Sequence, residues 1–141
     1  MNNVIKEIVK LIEAHKQSAY RKINEELVLM YFEIGKYLSN KISNEKWGNK
    51  TIEVISQSIK MHYPNITGFT RTGIYRIIKF YETYRDDAIV PSLLGQIGWT
   101  NHILIMERTK NIKEKEFYIK LCIKNNYQIS LLKTIRKELI V

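Results

Sequence analysis

Apolar and small residues recur every three or four positions along the first third of the chain. Their mean spacing of about 3.7 residues is close to the period of a straight α-helix. The pattern predicts one long helix, or two nearly collinear helices, over residues 4–42, with Asn2 or Asn3 as the N-cap. Gly35 lies inside this helix and predicts a close crossing with another helix. The expected buried face consists of Ile5, Ile8, Ile12, His15, Ala19, Ile23, Leu27, Met30, Ile34 and Leu38.

A polar loop that holds Trp47, which we expect to contact the core, separates the long helix from two shorter ones. The second helix is predicted to begin with Thr51 as its cap and to end before Pro64. Thr70 is predicted to cap the third helix, which ends near Arg85. The expected buried side chains are Ile52, Ile55 and Ile59 in the second helix, and Ile74, Ile77, Ile78, Tyr81 and Tyr84 in the third.

Three more helices are predicted in the last third of the chain. A short apolar helix is introduced by Trp99 and capped by Thr100, a fifth helix covers residues 113–126, and a sixth begins at Ser130 and ends near Ile140. The expected buried side chains are Phe117, Leu121 and Cys122 in the fifth helix, and Leu131, Leu132, Ile135 and Leu139 in the sixth.

No segment shows the sustained alternation of a β-strand, and six glycines and two prolines are too few for the many tight turns of a sandwich or barrel. The predicted fold class is therefore all-α, with a long N-terminal helix. A length of 141 residues suits a single domain over residues 1–141.

The lone cysteine, Cys122, cannot form a disulfide within the chain, and the N-terminus lacks the apolar core of a signal peptide. No run of about 18 apolar residues is present either. We therefore expect a cytoplasmic protein without a membrane segment.

The charge balance is strongly basic. The chain has 23 Lys and Arg against 14 Asp and Glu, a net charge of +9. Such an excess fits a polyanionic partner such as nucleic acid, although lysines also simply solvate exposed helix faces.

Motifs for catalysis or cofactor binding are missing from the sequence. His15, His62, His102 and Cys122 share no metal-ligand spacing, and no phosphate-binding glycine loop or nucleophile elbow occurs. No paired acids are placed for metal-assisted phosphodiester cleavage. We therefore predict no catalytic residue, metal, cofactor or small-molecule substrate.

The third helix carries the candidate site. Its face opposite the isoleucines is predicted to present the nucleic-acid-binding side chains Arg71, Thr72, Tyr75, Arg76 and Lys79. The second and third helices resemble a helix-turn-helix pair, but the connection at residues 63–69 exceeds the usual three or four residues. The fifth and sixth helices form a second candidate pair, with Lys133, Thr134, Arg136 and Lys137 facing outward.

Several motifs together resemble the N-terminal domain of the bacterial YhcG-type family, also called domain of unknown function 1016. The resemblance covers roughly residues 17–138. Its most specific pieces are Trp47-Gly48, Gly68-Phe69-Thr70, Lys79-Phe80-Tyr81-Glu82, Trp99-Thr100-Asn101-His102 and Phe117-Tyr118.

The resemblance implies a helical DNA-binding domain that precedes a PD-(D/E)xK nuclease domain in full-length relatives of restriction-like or mobile-element defence systems. This chain has no Asp followed by Glu-x-Lys, so we expect no enzymatic activity from it. The function predicted is a DNA-binding targeting module. The alternative is a protein-interaction or oligomerisation domain. Such a domain would use the long first helix to form a homodimer or to bind a partner protein.

Overall fold

The computed structural model describes residues 1–87 and 90–125, which form helices and no strand. This confirms the all-α fold class. The α-helices are α1 (Asn2–Glu45), α2 (Asn49–His62), α3 (Arg71–Tyr84), α4 (Trp99–Arg108) and α5 (Ile112–Asn125), and a 3₁₀-helix, η1 (Val90–Gln96), precedes α4. The predicted sixth helix, with its outward basic residues, lies outside the described residues.

The long first helix is confirmed as one continuous element of 44 residues. The predicted cap at Asn2 or Asn3 is wrong, because both residues are already helical and Met1 is the N-cap without a side-chain hydrogen bond. At the other end Lys46 adopts a left-handed conformation (φ 54°), and its N–H donates to the carbonyl of Ile42 at 2.9 Å. This left-handed residue ends α1.

The predicted buried face of α1 is wrong over most of its length. Of the ten predicted residues Leu38 is buried and Ile34 partly so, whereas the others, His15 included, are exposed. At 100° per residue, the centre of the observed buried face lies roughly 145° around the helix axis from the centre of the predicted stripe between Ile5 and Ile23. The observed buried residues are Val28, Tyr31, Gly35, Leu38 and Ser39.

The crossing of α1 and α3 fixes which side of α1 is buried. A methyl group on Gly35 would lie 2.5 Å from the carbonyl oxygen of Ile77 and 2.9 Å from the Cβ of Tyr81. The predicted close crossing at Gly35 is therefore confirmed. Further along the same contact, the hydroxyl of Ser39 donates to a carboxylate oxygen of Glu82 at 2.9 Å.

An aromatic cluster joins α3 to α4 and η1. The ring of Phe80 lies 4.9 Å from the rings of both Trp99 and His102 and 5.5 Å from that of Tyr84. His102 is fully buried, and its Nε2 is 2.7 Å from the carbonyl oxygen of Leu94. Burial lowers the pKa of His102 to about 4, although the hydrogen bond to Leu94 opposes the shift. The imidazole is therefore neutral at pH 7, and its Nε2–H donates to the carbonyl.

Two predicted threonine caps are wrong. Thr51 and Thr100 lie inside α2 and α4, and glycines, Gly48 and Gly98, occupy the two N-cap positions. Trp47 does pack against the core as predicted, and its indole N–H donates to Glu45 at 2.8 Å.

The buried face of α5 matches the prediction in part. Cys122 is buried and burial raises the pKa of its thiol to about 11, while Leu121 is partly buried against the core. Phe117 was expected inside but is 53% exposed. Its neighbours Tyr118 and Ile119 are buried instead, because the face of α5 that meets α4 and η1 is rotated by one to two residues.

Candidate nucleic-acid interface

The N-terminus of α3 is fixed by the predicted threonine cap. The side-chain oxygen of Thr70 accepts from the N–H of Gly73 at 3.0 Å, and its carbonyl accepts from the N–H of Ile74 at 2.8 Å. An N-cap of this kind satisfies backbone donors that have no partner inside the helix. The helix therefore begins at Arg71, directly after the predicted cap.

The two faces of α3 differ sharply in exposure. The buried side consists of Gly73, Ile74, Ile77, Ile78, Phe80 and Tyr84. The opposite side, which we call the α3 basic face, consists of Arg71, Thr72, Tyr75, Arg76 and Lys79. Four of these five are exposed, and Arg76 is half-buried. Their predicted placement on one side of a helix is confirmed, whereas their binding of nucleic acid stays a prediction.

Arg71 and Lys79 are the free cations of the α3 basic face. Both side chains are exposed and neither forms an ion pair with another described residue. Eight residues of helix separate them, which corresponds to roughly 12 Å along the axis. Two unpaired cations at this separation can each contact a phosphate without first giving up a protein partner.

Arg76 and Tyr75 already have partners in the structure. An Nη atom of Arg76 lies 3.0 Å from a carboxylate oxygen of Glu107 at the end of α4, with side-chain exposures of 42% and 48%. The hydroxyl of Tyr75 donates to the side-chain oxygen of Asn49, the first residue of α2. These contacts tie the α3 basic face to its neighbouring helices.

The connection between α2 and α3 is eight residues long and tightly packed. Gly68 has a φ of +88°, and a methyl group on Gly73 would lie 2.2 Å from the carbonyl oxygen of Gly68. The hydroxyl of Ser56 donates to the carbonyl of Phe69 at 2.6 Å. Glycines at positions 68 and 73 therefore allow this turn to lie directly on the start of α3.

Sequence reasoning missed three residues of this region, namely Asn49, Gly73 and Glu107. Glu107 is separated from Arg76 by 31 positions, and Asn49 lies before Thr51, the predicted cap of the second helix. Gly73 could have been recognised, since a glycine in the first turn of an otherwise regular helix indicates a close backbone approach.

The part of the chain that the structure describes contains neither a metal site nor a membrane-spanning helix. Within residues 1–87 and 90–125, no group of three or more His, Cys, Asp or Glu side chains is placed to hold a metal ion. None of the described helices combines the length and apolarity needed to cross a bilayer.

These features define an all-α domain in which one long helix packs against a helix with an exposed basic face. The chain belongs to the DUF1016 N-terminal domain family, whose family model matches residues 7–140. This match confirms the resemblance found in the sequence motifs. No curated protein and no solved structure matches the chain.

Proposed function

We propose that this domain binds duplex DNA through the α3 basic face, with Arg71 and Lys79 on phosphates and Thr72 and Tyr75 toward the groove. The observation that supports the proposal is the exposure of two unpaired cations and two polar side chains along one side of a well-packed helix. Phosphate contacts supply affinity and orientation, and side chains between them reach base edges.

The packing of α3 favours this role over that of a merely solvated helix. Its first turn is held by the Thr70 cap and by the Gly68–Gly73 contact, and its opposite side is buried against α1. A rigid support lowers the ordering cost of binding, because the side chains are presented before the nucleic acid arrives.

Arg76 takes part only if its ion pair with Glu107 opens. This exposed pair contributes little to stability, on the order of 0–1 kcal/mol, so a phosphate can compete for the guanidinium. We therefore expect Glu107→Gln to increase DNA affinity a fewfold, and to steepen the salt dependence by about one phosphate contact.

The proposed biological setting is the one that the sequence resemblance implies, in which the domain targets an associated nuclease to DNA. In that setting the domain supplies binding and orientation, and cleavage belongs to the partner catalytic domain.

Fluorescence anisotropy with labelled duplex and single-stranded DNA, repeated across a salt series, tests the proposal. We expect binding to duplex DNA that weakens steeply with salt. Arg71→Ala and Lys79→Ala should each weaken binding and reduce the log-log salt slope by about one.

The matched control is Lys113→Ala, which removes one exposed cation at the start of α5 and should leave the slope nearly unchanged. The proposal is overturned if the chain does not bind duplex DNA at low salt, or if all three alanine variants lose affinity equally.

A further inference from the structure

The start of α2 lies beside the middle of the α3 basic face. The hydroxyl of Tyr75 donates to the side-chain oxygen of Asn49, the first residue of α2. Tyr75 is four positions from both Arg71 and Lys79, so it lies midway along α3 between the two free cations. Asn49 is exposed. The exposed surface of α3 therefore continues onto the start of α2.

The hydrogen bond from Tyr75 orients the carboxamide of Asn49. The oxygen of this group accepts from the tyrosine hydroxyl, so the Nδ2 group faces away from Tyr75. Neither of its two N–H donors has a partner in the described part of the chain. Asn side chains commonly donate to DNA phosphates, and a side chain that is already held costs less to order on binding. Asn49 is therefore placed to donate to an anion that approaches the α3 basic face.

Lys50, the next residue, adds a positive charge at the same place. Its side chain is exposed and forms no ion pair with any residue of 1–87 or 90–125. The nearest acidic residues in the sequence have other hydrogen-bond partners. Glu45 accepts from Lys41 at 3.3 Å, and Glu53 accepts from Gln57 at 3.4 Å. The ammonium group of Lys50 is therefore available to a ligand from outside the chain.

The α3 basic face has a different neighbour on each side. Tyr75 and Arg76 leave the helix about 100° apart, and they contact α2 and α4 respectively. On the α4 side, the contact residue is Glu107, whose carboxylate already holds Arg76. On the α2 side, the carboxamide of Asn49 is followed by a free cation. The contact residues on the α2 side therefore suit an anion, and those on the α4 side do not.

The direction of α2 fits a helix that crosses a DNA backbone. Asn49 contacts Tyr75 and, seven residues later, Ser56 contacts Phe69, so α2 runs antiparallel to the segment that leads into α3. In helix-turn-helix proteins the second helix lies in the major groove and the first crosses the backbone. The major groove is about 12 Å wide, close to the diameter of a helix with its side chains. A helix that lies in the groove therefore brings its neighbour to the phosphates at one edge.

We propose that the start of α2 is a second phosphate-binding point, in which Lys50 and the Nδ2 group of Asn49 contact the backbone of one DNA strand. Tyr75 is a positioning residue, because its hydroxyl holds the Asn49 carboxamide. The contact rests on the proposed function, the binding of duplex DNA by the α3 basic face. It adds the side of α3 on which a strand passes over the domain.

Fluorescence anisotropy of the whole chain with duplex DNA across a salt series tests the contact. Lys50→Ala should reduce the log-log salt slope by about one. It should weaken binding to two duplexes of unrelated sequence by the same factor, since a phosphate contact carries no sequence information. The matched control is Lys36→Ala, which removes an exposed cation from α1, the helix that packs on the buried side of α3. This control should leave the slope nearly unchanged.

The uncharged part of the contact is tested by a double-mutant cycle. Asn49→Ala should weaken binding roughly three- to tenfold without changing the salt slope, because the carboxamide is neutral. Tyr75→Phe should weaken binding by less, and the double variant should bind no more weakly than Asn49→Ala alone, because the hydroxyl acts through Asn49. Circular dichroism should show the same helix content in all three variants. Additive effects of the two substitutions would reject the positioning role of Tyr75.

The outcomes separate this contact from the function on which it rests. If binding depends on Arg71 and Lys79 but Lys50→Ala leaves the salt slope unchanged, the second phosphate-binding point is overturned and DNA binding by α3 stands. An equal loss of slope in Lys36→Ala also overturns it, because the charge of the chain then acts as a whole. Absence of duplex binding at low salt overturns the proposed function and this contact together.

Discussion

The two halves of α1 have similar apolar periodicity and opposite surroundings. Residues 1–23 are exposed throughout, whereas Val28, Tyr31, Gly35, Leu38 and Ser39 in the second half are buried against the rest of the domain. Gly35, which lets α3 approach closely, lies in the second half. A helical period therefore reveals an apolar face, and contacts far along the chain decide what covers that face.

We expect the largest difference in stability between the two halves of α1 when a larger side chain is introduced. Gly35→Leu should destabilise the fold by about 3 kcal/mol or more, because its side chain would enter the backbone of α3 at Ile77. Ala14→Leu makes a comparable small-to-large change in the first half and should change stability by under about 0.5 kcal/mol. Urea unfolding followed by circular dichroism measures both. Equal effects would abolish the distinction between the halves.

Shortening a side chain should give the next largest difference in stability between the two halves of α1. Val28 is fully buried and Val9 is 50% exposed on the same helix. We expect Val28→Ala to cost about 2 to 3 kcal/mol through lost burial and an unfilled cavity, and Val9→Ala to cost under about 0.5 kcal/mol. Thermal unfolding at a concentration where the chain is monomeric compares them. A large loss in Val9→Ala would show that the first half is also packed within the monomer.

A buried histidine, His102, and an exposed one, His15, provide the third contrast. The pKa of buried His102 is about 4 in the folded state against an ordinary value of 6.5, so in this interval the unfolded chain binds a proton that the folded chain excludes. Stability therefore falls as pH falls through this window, by about 2 kcal/mol between pH 6.5 and pH 5.

Urea unfolding at several pH values checks this dependence. His15→Ala, which alters an exposed histidine in the first half of α1, should change stability at pH 7 by under about 0.5 kcal/mol. A flat profile between pH 6.5 and pH 5 would contradict the assignment of His102 as a buried neutral imidazole.

We expect the smallest difference in stability between the two halves of α1 when a serine hydroxyl is removed. Ser39→Ala removes the hydrogen bond to Glu82 and should destabilise the fold by about 1 kcal/mol. Ser18→Ala in the exposed half should be neutral or slightly stabilising, because alanine is the better helix former. Precise chemical denaturation of the two variants resolves this difference, and a neutral Ser39→Ala would mean that the bond to Glu82 is matched by water.

Local signals were sufficient to predict α3. The cap at Thr70, the buried isoleucines and the opposite exposed residues all follow from side chains within one segment. The same holds for the position of Gly35, since glycine in a long helix has few explanations besides a close contact.

Sequence-based predictions failed where the structure depends on contacts between residues that lie far apart in the chain. Seven apolar residues of the predicted buried face of α1 fit a helical face as well as the true core residues do, and only the positions of α3, η1 and α4 distinguish the two sets. The ion pair of Arg76 with Glu107 joins two helices, so no local pattern predicts it. Thr51 and Thr100 are good capping residues in general, yet both helices begin further upstream, with Gly48 and Gly98 as their N-caps.

The length of α1 has a consequence for the motion of the molecule in solution. A helix of 44 residues is about 66 Å long, and a rod of that length alone has a radius of gyration of about 19 Å. A compact chain of 141 residues would have a radius of gyration of about 14 Å. A single copy should therefore diffuse slowly and elute early from a sizing column, with the hydrodynamic behaviour of a heavier globular protein. Its mass in solution must come from light scattering or sedimentation equilibrium, because the elongated shape would make the elution volume overestimate the mass.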